Sequence, residues 1–176
     1  MAADGKLMDM LTGYAAAHQH PFNVFIHMIG IPTILFGLLV PLSWVKLGDG
    51  ALAVSLAHLL VLGLFLFYAS LDRVFAVAFL VFALLLTALA NRVGALPMAI
   101  SGTIAAAAFF GGYAAQFIGH AVEKSMPVLV RHPVQANLAA PFFTVVELFK
   151  LAGLRDDLFN EVQQRIQEIH SARGQA

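Results

Sequence analysis

Seven histidines stand in a chain of 176 residues that carries only ten basic and ten acidic side chains. A neutral imidazole is a common metal ligand. Three of them, His18, His27 and His120, joined by Glu123, form a set of the kind that suits iron or zinc. Their neighbours are spaced to aim them. Tyr14 and His18 are four residues apart, as are Asn23 and His27, so each pair shares a helix face. Gln116, His120 and Glu123 follow in steps of four and three along another stripe. Tyr14, Asn23 and Gln116 could orient the rings by hydrogen bonds. The competing reading of any single histidine near a membrane is that it snorkels or bonds a backbone carbonyl. The remaining four fit that reading. His20 beside Pro21 suits a helix cap or a solvated residue, and His132 beside Pro133 a loop. His58 has no acidic partner in its segment and reads as a packing residue, with haem ligation as the other option. His170 belongs to a polar tail helix.

The elements that position these residues follow from where charge is missing. Hydrophobic residues make up 60% of the chain and charged ones 11%, and the mean hydropathy is +0.84. A soluble domain carries about 25% charged residues, so an ordinary water-facing globule is excluded, and so is disorder. Zero net charge removes the electrostatic footprint of a nucleic-acid binder. The absence of cysteine removes disulfides, thiolate ligands and a cysteine nucleophile. No Asp, Glu, Lys or Arg lies between Asp9 and Lys46, Asp49 and Asp72, Arg73 and Arg92, or Arg92 and Glu123. A spanning helix needs about 20 mostly apolar residues, and each gap predicts one: near 22–44, 51–70, 74–91 and 96–120. A fifth apolar stretch within 132–151, interrupted by Pro133 and Pro141, is short for a span and predicts an interfacial or re-entrant segment. Leu158, Val162, Ile166 and Ile169 recur at helical spacing in a polar region, which predicts an amphipathic surface helix over 155–170. The expected fold class is all-α: one membrane domain, residues 1–176, built as a helical bundle.

Four spans put both termini on one side. That side would carry Lys6, Arg73, Lys124, Arg131, Lys150, Arg155, Arg165 and Arg173, against Lys46 and Arg92 on the other, which predicts cytoplasmic termini. A bacterial inner membrane and an ER membrane both fit. The first ten residues hold two Asp and one Lys, unlike the basic start of a cleaved signal. The first span begins, and the fourth ends, on the same side, so His18 and His27 share a membrane depth with His120 and Glu123. No HExxH, HxxHH, GxSxG or Walker A sequence is present.

Tyr14-x3-His18-x4-Asn23-x3-His27, continuing through Ile31, Pro32, Thr33, Ile34 and Leu35, resembles the opening motif of the 2-hydroxy fatty acid dioxygenase family of fungal α-oxidation. Gln116-x2-Gly119-His120, followed by Glu123 and Pro127, is similar to that family's second motif, and Pro141 and Glu147 to its closing segment. The likeness covers roughly residues 14–151. His20 has no place in the motif and receives no role. The resemblance implies a multi-pass membrane enzyme that uses Fe(II) and O2 to shorten a long-chain 2-hydroxy fatty acid by one carbon. His18, His27 and His120 would be the metal ligands, with Glu123 a ligand or the partner of one imidazole. Lys124 or Arg131 could attract the substrate carboxylate. A fatty acid keeps its head at the interface, and each CH2 taken from water contributes about 0.8 kcal/mol, so apolar helix faces can hold its chain among membrane lipid. The rival readings are a non-catalytic lipid-binding or transport protein with a structural metal or none, a b-type haem protein, and a zinc hydrolase acting on lipid.

Overall fold

A computed structural model describes residues 2–16, 18–50 and 53–174, with the side chains of residues 2–4, 170 and 172–174 outside that description. The side chain of His170 therefore lies outside the described residues. The expectation of an all-helical chain holds, with one small addition. In chain order the elements are α1 (Ala2–Ala16), α2 (Pro21–Trp44), β1 (Lys46–Leu47), β2 (Val54–Ser55), α3 (Leu56–Ala69), α4 (Arg73–Gly94), α5 (Met98–Glu123), α6 (Val128–Arg131), α7 (Pro133–Leu151) and α8 (Asp156–Gly174).

Local chemistry sets the boundaries. His20 caps α2, its Nδ1 accepting from the Phe22 N–H at 3.2 Å, and Pro21 occupies the first turn, where its missing N–H costs nothing. Asp72 caps α4 by accepting from the N–H groups of Val74 and Phe75 at 2.9 and 3.0 Å. Arg155 anchors that cap, donating to the second Asp72 oxygen at 2.7 Å while lying 4.5 Å from the Phe75 ring centre. The region expected as the second span differs from expectation. Gly48 and Gly50 adopt positive φ in a turn that pairs β1 with β2. Ser55 and His58 then close a capping box, with the Ser55 N–H donating to His58 Nδ1 at 3.2 Å, so the helix starts only at Leu56. At 14 residues α3 extends about 21 Å. Helices α2, α4 and α5 are each long and apolar enough to cross a membrane, and α7 joins Asp156–Ile169 through a bend of 114°.

Packing centres on α2, which lies most extensively against α5 and then α4. The α2–α5 pair is antiparallel: Asn23 meets Gly119, Gly30 meets Gly112, and Gly37 meets Ala105 and Phe109. Contact there is nearly backbone to backbone. A Cβ on Gly37 would fall 2.6 Å from the Phe109 nitrogen, and one on Gly112 would fall 2.6 Å from Ile34 Cγ1. Small residues at this spacing are how helices associate where water supplies no driving force. Buried Leu39, Val40, Val61, Phe75, Phe79 and Phe142 form the core among α2, α3, α4 and α7. Residues 141–147 of α7 are all buried, as α1, α2 and α4 enclose that helix. Val162 and Ile166 bury the apolar face of α8, which packs on α1. The outer faces are the reverse of a soluble surface: Leu85 and Phe110 are each 69% exposed, among a band of exposed Val, Leu and Ile.

Candidate metal centre

Because α2 and α5 run antiparallel, the start of α2 and the end of α5 occupy one end of the bundle. His27 comes from the second turn of α2, His120 from the last turn of α5, and His18 from the connection between α1 and α2. All three side chains are buried. Their ring centres lie 4.4 Å (His18–His27), 4.9 Å (His18–His120) and 4.9 Å (His27–His120) apart. One ligand atom from each lies within 4.8 Å of those of the other two.

The hydrogen bonds decide which nitrogen each ring presents. His18 Nδ1 donates to the Tyr14 carbonyl at 2.7 Å and His27 Nδ1 to the Asn23 carbonyl at 2.9 Å, each four residues back. A carbonyl can only accept, so both rings carry their proton on Nδ1 and leave an Nε2 lone pair free. His120 Nδ1 meets the Ser125 hydroxyl at 2.8 Å. The Nε2 of His18 is buried and has no hydrogen-bond partner among the described residues. Leaving such an atom unpaired costs about 1–3 kcal/mol, and a cation shared with the other two rings would relieve it. Three neutral imidazoles with second nitrogens tied to carbonyl or hydroxyl groups are a donor set that fits iron or zinc.

Burial, and next the adjoining His27 ring, pushes the pKa of His18 down to about 3 from 6.5, against the opposing hydrogen bond to Tyr14. Neutral His18 is thus the form present near pH 7. Below about pH 6.5 the unfolded chain takes up a proton that the folded chain accepts only near pH 3. Stability is therefore full above pH 6.5 and falls as pH drops through that window, by up to about 1.4 kcal/mol per pH unit. Thermal melts of metal-free protein from about pH 7.5 down to about pH 5 should show a falling Tm; a flat Tm would contradict a buried neutral ring.

Each residue singled out in the sequence has a definite place. Tyr14 stacks on His18, ring centres 4.0 Å apart and planes at 7°, and burial raises its phenol pKa. The Asn23 amide donates to Glu123 Oε2. Glu123 itself stands outside the group of three. Its Oε1 accepts from the backbone N–H groups of Gln19 at 2.7 Å and His20 at 3.0 Å. Gln116 lines the cavity described below, whereas Lys124 and Arg131 are exposed and do not. His58 completes the capping box of α3, and His20 and His132 are the exposed N-cap residues of α2 and α7. Two partners were missed. Phe143 packs on Tyr14 with ring centres 3.9 Å apart. Ser125 lies five residues after His120, off its helix face, and returns to it only because Lys124 adopts φ 58 and the Ser125 N–H bonds the His120 carbonyl at 3.0 Å.

The three imidazoles form one end of a cavity of about 340 Å³. α2 lines it through Ile31, Ile34, Leu35 and Leu38, and α3, α5, residues 127–129 and α7 complete the lining. Apart from the histidines, its polar side chains among the described residues are Tyr14, Tyr113, Gln116 and Asn137, with no Lys or Arg in the lining. Tyr113 on α5 donates to Asn137 Oδ1 on α7 at 2.6 Å, bridging two of the walls. Exposed Phe117 and Leu138 at its margin open it toward the outer face of the bundle.

The family described as 2-hydroxy-palmitic acid dioxygenase Mpo1-like matches residues 5–151 of this chain. The 2-hydroxy-palmitic acid dioxygenase MPO1 of Saccharomyces cerevisiae is 34% identical over 170 residues, spanning 90% of this chain and 92% of that protein. No solved structure matches the chain.

Proposed function

This chain belongs to the Mpo1-like family, and on that premise we propose that it is an Fe(II)-dependent dioxygenase that converts long-chain 2-hydroxy fatty acids to fatty acids one carbon shorter. The observation that carries the proposal is the group of three buried imidazoles, two of them with Nε2 left free by an Nδ1–H bond to a backbone carbonyl, at the head of an apolar cavity. The balance R–CHOH–COOH + O2 → R–COOH + CO2 + H2O closes without a reducing co-substrate. The carbon–carbon bond to the carboxyl breaks, and the α-carbon is oxidised as O2 is reduced. One-electron chemistry with O2 is what Fe(II) supplies when bound, and three protein ligands leave positions open for the substrate head and O2.

The chain's own residues do the rest. His18, His27 and His120 are the proposed ligands. Tyr14 and Asn23 hold two of the rings through their carbonyls, and the Tyr14 ring braces His18 against rotation. Gln116, one turn before His120, is the proposed neutral partner for the substrate's carboxylate or hydroxyl. Lys124 and Arg131 flank residues 127–129 of the cavity wall, where exposed cations would draw the carboxylate toward the mouth. Ile34, Leu35, Leu38, Leu60, Leu64 and Phe109 would hold the chain and keep bulk water away from the head. Chain burial drives binding from water at about 0.8 kcal/mol per CH2, but a chain arriving from lipid gains little, because lipid is as apolar as leucine. Discrimination then rests on the head group.

The proposed setting is a single multi-pass membrane domain, with α3 as a short fourth span and the termini and centre on the cytoplasmic side of a bacterial inner or ER membrane. A head at the interface with its chain in hydrocarbon matches a centre at the helix ends.

Leu38 lies eleven residues beyond His27, about 16 Å farther along α2, and is partly exposed, so a larger side chain can be accommodated there. Leu38→Trp should shorten the usable cavity and shift kcat/KM about tenfold toward shorter acids. Competition between 2-hydroxy acids of different length measures this, and an unchanged preference would remove the chain from this cavity.

The test of function is product analysis with 2-hydroxypalmitate, purified Fe(II)-loaded protein and O2. The expected products are the acid one carbon shorter and CO2 from the labelled carboxyl carbon. Binding of the acid with no O2 consumption would instead favour a lipid-binding protein. Chelation followed by recovery with zinc but not iron would favour a hydrolase.

A further inference from the structure

Beyond the three imidazoles, we propose that Glu123 is the positioning residue of the centre: one carboxylate that pins the backbone directly after His18 and holds the groups to which His27 and His120 are bonded. The inference rests on the reading of those rings as metal ligands. The contacts are distributed in an unusual way. Oε1 accepts from the backbone N–H groups of Gln19 and His20 at 2.7 and 3.0 Å, which pins the two residues directly after His18. Oε2 accepts from the Asn23 amide, and the carbonyl of Asn23 is the acceptor for His27 Nδ1 at 2.9 Å. Oε2 also lies 3.5 Å from the Ser125 hydroxyl, whose oxygen meets His120 Nδ1 at 2.8 Å. One side chain on α5 thus reaches behind ligands from α2, from α5 and from the connection between α1 and α2.

The direction of these bonds matters as much as their number. A carboxylate only accepts. It therefore draws the Ser125 proton toward itself and leaves the Ser125 oxygen to accept from His120 Nδ1–H. That places His120 in the same tautomer as His18 and His27, with Nε2 free. A glutamine at 123 could still accept from Gln19 and His20 through its oxygen. Its amide nitrogen, however, would face the Asn23 amide and Ser125 as a donor, and the Asn23 and Ser125 links would be lost or reversed. Gly119 makes the arrangement possible, since a Cβ there would fall 2.3 Å from Asn23 Oδ1.

A merely structural staple between α5 and the start of α2 would make the same contacts, so the test must read the centre itself. Co(II) serves as the probe, because its visible bands report ligand geometry without O2 or turnover. Full-length protein in detergent is titrated as wild type, Glu123→Gln and Ser125→Ala. Glu123→Gln is expected to weaken Co(II) binding about 10–100-fold and to shift the bands, and Ser125→Ala, which removes only the His120 link, to weaken it severalfold with a smaller shift. Wild-type affinity and spectrum in folded Glu123→Gln, or in Ser125→Ala should the first variant not fold, would overturn the proposal and leave the three-histidine centre intact. Failure of the wild type to bind one Co(II) in a His27-dependent manner would overturn the centre, and this inference with it.

Discussion

Replacing His27 by alanine is expected to abolish stable metal binding and to lower turnover of a 2-hydroxy fatty acid by about a thousandfold or more. His27 is 2% exposed, its ring centre lies 4.4 and 4.9 Å from those of His18 and His120, and its Nδ1 is bonded to the Asn23 carbonyl, so truncation removes a ligand atom that the fold holds in place. Two imidazoles would remain, and His18 would keep an unpaired Nε2 with less reason to hold its rotamer. As proposed ligands of one cation, the three imidazoles would act as a unit. The double variant His27→Ala/His120→Ala should therefore be scarcely worse than either single variant. Iron content and initial rate, measured on protein whose helical signal and elution volume match the wild type, decide the matter. Full iron content in His27→Ala would remove that ring from the centre.

The second large effect lies about three helical turns away. Gly37→Ala should lower stability by about 1–3 kcal/mol. Its Cβ would meet the Phe109 nitrogen at 2.6 Å, the Ala105 carbonyl oxygen at 2.8 Å and Phe109 Cα at 3.0 Å. All three are backbone atoms, so no rotamer change can make room, and the two helices must move apart. Those helices carry His27 and His120, so metal affinity should fall together with Tm. Gly63→Ala is the matched control: nothing lies within 4 Å of its Cβ, and helix propensity alone favours alanine there by up to about 1 kcal/mol. Equal melting of Gly37→Ala and wild type in detergent would contradict the close approach of α2 and α5.

The convergence of His18, His27 and His120 was legible in the sequence because hydropathy sets the direction of each helix. An imidazole at the start of one span and another at the end of a later one must meet the same interface if the intervening spans alternate. The i, i+4 spacing of Tyr14 with His18 and Asn23 with His27 pointed to real contacts, although the backbone carbonyl, not the side chain, accepts in each pair. Ser125 was not legible. Periodicity describes a helix, and Ser125 acts where the helix breaks at the left-handed Lys124. The hairpin of β1 and β2 escaped for a similar reason: an uncharged stretch says that a segment is apolar, not where its hydrogen bonds begin. Ser55-x-x-His58 carried that boundary as a cap in which histidine stands where Glu or Gln is usual. Lys124 and Arg131 were singled out by charge and position along the chain, which cannot reveal that both are exposed and outside the cavity lining. The unbroken burial of residues 141–147 likewise depends on α1, α2 and α4 closing around α7, a tertiary fact with no local signature.

X-ray absorption at the iron edge of the Fe(II)-loaded protein probes the central claim most directly, because it counts the nitrogen ligands that imidazole rings contribute. Three such ligands are predicted in the wild type, and no specifically bound iron in His27→Ala. A shell of oxygen atoms alone, or an identical shell in both proteins, would contradict a centre built from His18, His27 and His120.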